Sequence, residues 1–428
     1  MIYSTTNSCW RNLRHVTVAV LTATCSLQAQ DVPSDPIASW IETQVPAGKL
    51  ILNTRLRHET ADQEGLSLDS RAVTLRTRLG YQTASYAGFQ VLVEGEWVEA
   101  LNDSEKFNAA GRHRDARNRP IIADPEASEL NRLWVSYTSP DGIQLKLGRQ
   151  VLALDDHRFI GHVGWRQNQQ TFDALTLTGK LGSDVSLHYS YVDKVHRIFG
   201  DHWPDRAGPI GQFNSDSHLF NLRWNNTALG TLSAFAYLVS LDEAASLSSA
   251  TYGLRLSGNR AIGSQDHRLD YVLSVATQSD YKANSNEFRV YHVNASATYA
   301  LPMLQMGVTY ELLGSDNGIA LQTPLATLHA FNGWADVFLT TPAAGLQDFS
   351  LSLSTRIPVG TGLTAKAIYH EFRSHAGSLN YGSEIDLLLS YRFTRSFSTT
   401  VKYADFDRDS IIAPASMQRL TLQCEFIY

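Results

Sequence analysis

Val185-Ser186-Leu187-His188-Tyr189-Ser190-Tyr191 sets an apolar residue against a polar one at every step. In extended backbone successive side chains point to opposite faces, so this stretch carries one apolar face and one polar face. The same alternation recurs at Leu145 and Leu147, at Leu269, Tyr271, Leu273 and Val275, and at Leu304, Met306, Val308 and Tyr310. It returns at the end of the chain in Leu420, Leu422, Cys424, Phe426 and Tyr428. Between Lys49 and Tyr428 a 3.6-residue periodicity is almost absent.

Eighteen such runs are found, near 49–59, 70–84, 87–100, 129–139, 142–153, 170–180, 183–196, 216–226, 230–241, 248–258, 267–279, 287–300, 303–313, 348–357, 361–373, 382–393, 396–407 and 416–428. Most exceed the ~9 to 11 residues that a tilted strand needs to cross a bilayer, against ~5 to 6 in soluble sheets. Tight turns at Pro140-Asp141-Gly142, Leu181-Gly182-Ser183, Leu301-Pro302 and Thr394-Arg395 alternate with long polar loops at 101–128, 154–169, 197–215 and 314–347. A soluble sandwich has no reason to keep that short-long rhythm, whereas a membrane barrel with one periplasmic and one extracellular rim requires it. The pattern therefore predicts an all-β protein, an eighteen-stranded antiparallel up-and-down transmembrane β-barrel over 49–428. Tyr81, Tyr86, Tyr137, Tyr299, Tyr310, Phe393 and Phe397 lie near strand ends, where interfacial aromatics belong.

Composition agrees. Of 428 residues, 43% are hydrophobic, 10% aromatic and 18% charged, which excludes both disorder and a bundle of membrane helices. A formal charge of −6 leaves no global basic excess, so a nucleic-acid partner is excluded as well. Arg11, Arg14 and His15 precede the apolar run Val16 to Leu27, and Leu27-Gln28-Ala29 supplies a cleavage site before Gln30. Residues 1–29 are read as a removed signal peptide and 30–48 as a short periplasmic segment. Acylation at Cys25 is the rival reading, and Thr22-Ala23-Thr24 before it makes a poor acylation site. Cys9 and Cys25 leave with the leader, so the mature chain keeps Cys424 alone and has neither an internal disulfide nor a cysteine-based metal site.

If the apolar parity faces lipid, the other parity faces the lumen. Its basic members are Arg55, Arg57, Arg76, Arg78, Arg132, Lys146, Lys180, Lys194, Arg223, Arg255, Arg356, Lys366, Arg392, Lys402 and Arg419, fifteen in all. Its acidic members are the eight residues Glu59, Glu94, Glu96, Asp270, Glu311, Glu384, Asp386 and Glu425. The lumen is thus expected to carry +7 while the chain from residue 30 carries −8. Low-dielectric walls focus such a field on anionic solutes. Guanidinium groups also suit carboxylates, which they hold in a bidentate fork. Pairing of these arginines with neighbouring carboxylates to stiffen the wall is the competing reading.

The segment Asp155 to Leu175, with Gly148-Arg149-Gln150 just before it, resembles the signature stretch of the alginate export family of outer-membrane barrels. His329 to Phe349 is similar to a second stretch of that family. The resemblance covers residues 48–428. It implies a monomeric eighteen-stranded barrel in the outer-membrane bilayer with an electropositive pore that passes an anionic uronate polysaccharide, and it leaves periplasmic export partners open. It also implies that Arg149, Arg158 and Arg166 join Arg55, Arg57, Arg76, Arg78, Arg132, Lys146, Arg223, Arg255 and Arg356 as polymer contacts. No cofactor is expected.

The segment from Asp155 either folds inward and narrows the pore or rests Trp165 and Phe172 on the wall. The segment around Trp334 either forms a short helix or plug in the mouth or collapses as a surface loop. A metal site at Asp155, Asp156, His157 and His162 lacks both helical spacing and cysteine partners. Two further functions compete with polysaccharide passage: carboxylate uptake by a porin of similar build, and a barrel hydrolase using His58, Glu59, Asp69 and Ser70. No strained nucleophile turn accompanies those four. Phe426-Ile427-Tyr428 resembles the C-terminal assembly signal of bacterial outer-membrane barrels. A chain lacking these three residues is expected to be translated and exported normally yet to insert slowly, measured as membrane yield over time; full yield would refute that role.

Overall fold

A computed structural model describes residues 48–110, 118–200, 210–360 and 362–428. The expected leader at 1–29, and all but the last residue of the 30–48 segment, lie outside the described residues.

All eighteen runs form strands. They are β1 (Lys49–Gln63), β2 (Ser70–Gln82), β3 (Phe89–Ala100), β4 (Ala127–Thr138), β5 (Gln144–Gln150), β6 (Thr171–Leu181), β7 (Val185–His196), β8 (Gln212–Thr227), β9 (Gly230–Val239), β10 (Ser249–Ile262), β11 (Ser264–Asp280), β12 (Arg289–Ala300) and β13 (Leu304–Leu313). Five more follow at Leu346–Ile357, Leu363–Arg373, Asn380–Arg392, Phe397–Arg408 and Met417–Ile427. Each pairs antiparallel with its neighbours in sequence, and β1 closes the barrel by pairing with the last strand, Arg55 opposite Glu425 and Leu56 opposite Cys424. Closure satisfies the backbone hydrogen bonds that a sheet edge would leave unmade in hydrocarbon.

The two faces are inverted relative to a soluble protein. Leu147 is 57% exposed, and Leu254, Leu273, Leu351 and Leu389 stand equally open, whereas Arg57, Arg76 and Asp386 are wholly buried. Apolar side chains on the outside and charges on the inside are stable only when the outside solvent is lipid.

The interior is filled by chain. Segments 151–170 and 314–345 fold inward, and each is held by its own apolar cluster against the wall. Phe338 packs on Phe372, Tyr381 and Phe406 at centroid distances of 4.5, 5.8 and 5.5 Å. Phe159 packs on Phe235 and Tyr237 at 5.3 and 6.1 Å. Each such aromatic pair contributes about 0.5–1.5 kcal/mol beyond its buried area. The only helical turn of the 314–345 segment among the described residues is Leu328–Ala330, so the Trp334 region is an irregular plug and not a helix.

Register departs from strict alternation at bulges. Between β3 and β4 the shift at Glu94/Gly95 lets Asn131 and Arg132 both reach Glu94. In β7 the shift between Val192 and Lys194 makes Asp193 the extra residue. Lys194 then lies opposite Asp173, on the outer face with Leu175, so its expected lumen position is corrected.

Replacing Leu147 by Arg at the lipid face should cost about 2 to 4 kcal/mol, with Lys146→Ala on the lumen face costing far less. Denaturant titration of the refolded barrel in lipid vesicles reads both, and equal costs would overturn this register.

Candidate functional site: the arginine-lined lumen

Alternation on β1 and β2 sends Arg55, Arg57, Arg76 and Arg78 inward, with Arg55 directly opposite Arg76. Like charges at that spacing repel, so the fold must supply carboxylates. Glu425 of the last strand accepts from Arg55 at 2.9 Å and from Arg76 at 3.0 Å. Arg57 donates to Asp124 at 3.2 Å and to Gln423 at 2.7 Å. Arg78 is paired with Glu96, and Arg132 forks onto Glu94 at 2.8 and 2.5 Å.

Segment 151–170 crosses the barrel and ties this wall to the opposite one. On the near side Arg55 Nη1 donates to the carbonyls of Gly164, Trp165 and Arg166 at 3.1–3.2 Å. Gln167 donates to Thr74 Oγ1 at 2.8 Å. On the far side Arg158 meets Glu311 at 2.7 Å and Asn332 at 3.1 Å. Asp155 accepts from Arg223 at 3.0 Å and Asp156 from Arg255 at 3.3 Å. The inward-folding reading is thus the one the chain adopts.

Arg166 joins the two inward segments, reaching Glu59 at 3.2 Å and Asp336 at 2.6 Å. Burial by itself would lower its pKa; the carboxylates of Glu59, Asp336 and Asp124 outweigh burial and hold it above the ordinary arginine value. Gly333 adopts a positive φ of 85°, and a Cβ there would collide with the Glu384 carboxylate. That close approach lets the backbone N–H groups of Trp334 and Ala335 reach Asp386 at 3.2 Å and Glu384 at 2.7 Å.

A cationic and aromatic latch closes the contact between the segments. The ammonium of Lys402 lies 4.0 Å from the Trp165 ring centroid and 3.8 Å from that of Trp334. Trp165 also stacks on His329 at 4.5 Å and carries the Arg57 guanidinium on its ring at 4.2 Å. His329 donates from Nδ1 to Asp336 at 2.7 Å, leaving Nε2 to accept from Lys402 at 2.6 Å. Burial lowers the His329 pKa to about 4, against the pull of Asp336. The geometry agrees, because a protonated Nε2 would face the ammonium with a second donor.

Lys146 lies over Trp134 at 4.7 Å, and Arg356 lines a cavity at the short-turn end. Arg149 is a correction. It shares the outer parity of Leu145 and Leu147, lies opposite Leu133, and pairs with Asp173 at 2.9 Å outside the lumen, where His196 also binds Asp173 at 2.8 Å. The expected +7 is corrected too. Asp124, Asp155, Asp156 and Asp336 come from loops, which strand parity cannot see, and Asp348 adds a further inward carboxylate from a strand, while the two inward segments bring Arg158 and Arg166 as cations.

The residues proposed for hydrolysis do not assemble. Glu59 is held by Arg166 and Arg419, Ser70 donates to the Pro120 carbonyl at 2.5 Å, Asp69 pairs with Arg71, and His58 shares the outward parity of Leu56. The Asp155–His162 set is equally dispersed: its two carboxylates hold arginines, and His162 Nδ1 accepts from the Gly164 backbone at 3.2 Å. No group of three or more metal-ligating side chains occurs among the described residues. Sequence reasoning missed the latch. Trp165, His329 and Trp334 carried the family resemblance, yet nothing in their spacing showed that they meet Lys402.

The profile of the alginate export family matches residues 52–311. Among solved structures the fold is shared by OpdK of Pseudomonas aeruginosa with vanillate, at 15% identity over 89% of this chain and 98% of that one, TM-score 0.69. OccAB4 of Acinetobacter baumannii is similar at 13% identity over 89% and 98%, TM-score 0.69. OccK2 (OpdF) of Pseudomonas aeruginosa in complex with glucuronate is similar at 13% identity over 89% and 98%, TM-score 0.64. No curated protein matches the sequence.

Because His329 is held neutral in the folded protein, the unfolded chain binds its proton first as pH falls. Its contribution is therefore intact above about pH 6.5 and is lost progressively down to about pH 4, where the docked imidazole itself protonates. Burial would raise the Asp336 pKa, but His329 and Arg166 hold it well below the carboxylate range, so it does not offset the loss. Tryptophan emission should shift cooperatively as pH falls through this window, and His329→Gln, which keeps both hydrogen bonds without titrating, should flatten the transition. An unchanged midpoint in that variant would refute the latch as the titrating element.

Proposed function

Because this chain belongs to the alginate export family of outer-membrane barrels, we propose that it is a passive channel for carboxylate-bearing sugars, uronate oligo- or polysaccharides. The fold places it in the outer membrane as a channel and not an enzyme. One observation carries the choice of cargo. The buried acids of the lumen are taken up by arginines, by His370 (Asp348 and Asp386) or by backbone N–H groups (Glu384 and Asp386), while Lys146, Lys366, Arg392 and Arg395 make no ion pair with any described residue. The residual field is therefore positive where solvent reaches the wall, and it favours anions.

The sequence-derived contacts divide by solvent exposure. Arg57, Arg158 and Arg166 are buried in ion pairs and position the inward segments. Arg132, Arg223 and Lys146 keep solvent-accessible surface and are assigned to solute. A sugar acid also needs hydroxyl partners, and the polar residues along the short-turn half of the lumen, such as Thr298, Ser296 and Asn259, supply them. A second reading, uptake of small carboxylates, is favoured by the vanillate and glucuronate named with two of the similar structures. A passive pore has no intrinsic direction, so both readings use the same wall.

Single channels in planar bilayers should show anion-favouring reversal potentials at 0.1 M salt and transient block by added uronate oligomers. Lys146→Glu with Lys366→Glu should lower the anion-to-cation permeability ratio severalfold. The effect should fade toward 1 M salt as the Debye length falls from ~10 to ~3 Å. Block by monomeric carboxylates but not by oligomers would favour the uptake reading; no anion preference in the parent channel would remove both.

A further inference from the structure

Toward the extracellular side and at mid-barrel, the arginines of the wall are matched by carboxylates. The short turns define the periplasmic end; there Arg268 still pairs with Asp270 at 2.6 Å, but Arg392 and Arg395 stand apart from any carboxylate of the described residues. Arg392 is the last residue of its strand, and Arg395 sits in the turn that follows it. Neither donates a hydrogen bond to, or forms an ion pair with, any described residue. Register places Arg356 opposite Thr364, Thr364 opposite Ser390, and Arg392 opposite Ser398, all on the inward parity. These six residues line one cavity of about 410 Å³, within the roughly 300–1,000 Å³ of ligand pockets. Across the barrel, Lys146 and Lys180 stand on β5 and β6 near their own short turns, also without an acidic partner among the described residues.

We propose that this periplasmic mouth is a loading site for the carboxylates of uronate chains that reach the channel from the periplasm. The proposal rests on the uronate reading above and adds a place and a sidedness to it. Two guanidinium groups without protein carboxylates offer the fork geometry that carboxylates fill. Thr364, Ser390 and Ser398 stand beside them as hydroxyl partners for a sugar ring. A chain held there presents its next residue to Lys366, which lies on the inward parity between Thr364 and the Trp334 plug, 5.9 Å from that ring. The opposite end offers no such group on this wall among the described residues. There the inward positions are Phe372, Phe406 and Tyr381, packed on Phe338.

The test is sided block of a single channel at 0.1 M salt by a uronate trisaccharide, its orientation fixed by protease access to the 409–416 loop. In the parent channel the on-rate from the periplasmic chamber should exceed that from the extracellular chamber. In the Arg392→Gln, Arg395→Gln double variant the periplasmic on-rate should fall about tenfold and the extracellular on-rate should hold, and 1 M salt should erase the difference. The paired Arg→Lys variant keeps the charge and loses the fork; it should retain the on-rate and shorten each block. Equal on-rates from both chambers in the parent, or no sided loss in the Gln variant, would overturn the loading site while leaving the uronate channel standing. Absence of block from either chamber in the parent would overturn the uronate reading, and the loading site with it.

Discussion

A backbone amide or carbonyl left unpaired in hydrocarbon costs several kcal/mol, and no water is present to satisfy it. A strand entering the bilayer must therefore be paired on both edges, and in a single sheet that condition is met only when the first strand meets the last. Pairing of Lys49–Gln63 with Met417–Ile427 is that condition in this molecule. Closure fixes an inside and an outside, and period-two alternation then assigns every strand residue to lipid or to lumen. The inverted distribution of leucines and charges follows from it.

An enclosed lumen lined by arginines creates a second demand. Charges removed from bulk water need partners, and breaking a buried pair typically costs about 3–5 kcal/mol. The wall supplies some carboxylates, Glu94, Glu96, Glu311 and Glu425 among them. The inward segments supply the others, and in doing so they are fastened in place. The ion pairs that neutralise the wall are thus the same contacts that position the obstruction in the channel. Charge neutralisation of the wall and constriction of the channel share residues here, and a substitution in Arg57, Arg158 or Arg166 acts on both.

The barrel was legible in the sequence because alternation is a one-dimensional signal. All eighteen runs became strands, with boundaries shifted by a few residues at most. What alternation cannot show is a bulge, where one extra residue exchanges the faces, and Asp193 turned Lys194 outward for that reason. Arg149 is the reverse case. Its spacing from Leu145 and Leu147 already put it outside, and only the family resemblance drew it toward the pore; the parity of the strand was the better guide. The +7 lumen failed for another cause. Asp124, Asp155, Asp156 and Asp336 reach the interior through loop paths of irregular backbone, for which sequence spacing carries no directional information. The meeting of Lys402 with Trp165, Trp334 and His329 joins positions up to 237 residues apart, and no local rule connects them.

The seam between the first and last strands also orders events in time. Arg55 and Arg76 obtain Glu425, Arg57 obtains Gln423, and Glu59 obtains Arg419 only when residues 417–427 arrive. Until then the leading strand holds an arginine-rich face and an open hydrogen-bonding edge. The charge protects that edge, since a basic strand is a poor template for indiscriminate pairing. The C-terminal strand, with carboxylate and amide at matching heights, is a complementary closure. Barrel closure and the charge pairing of the leading strand are therefore one set of contacts, made together by residues 417–427.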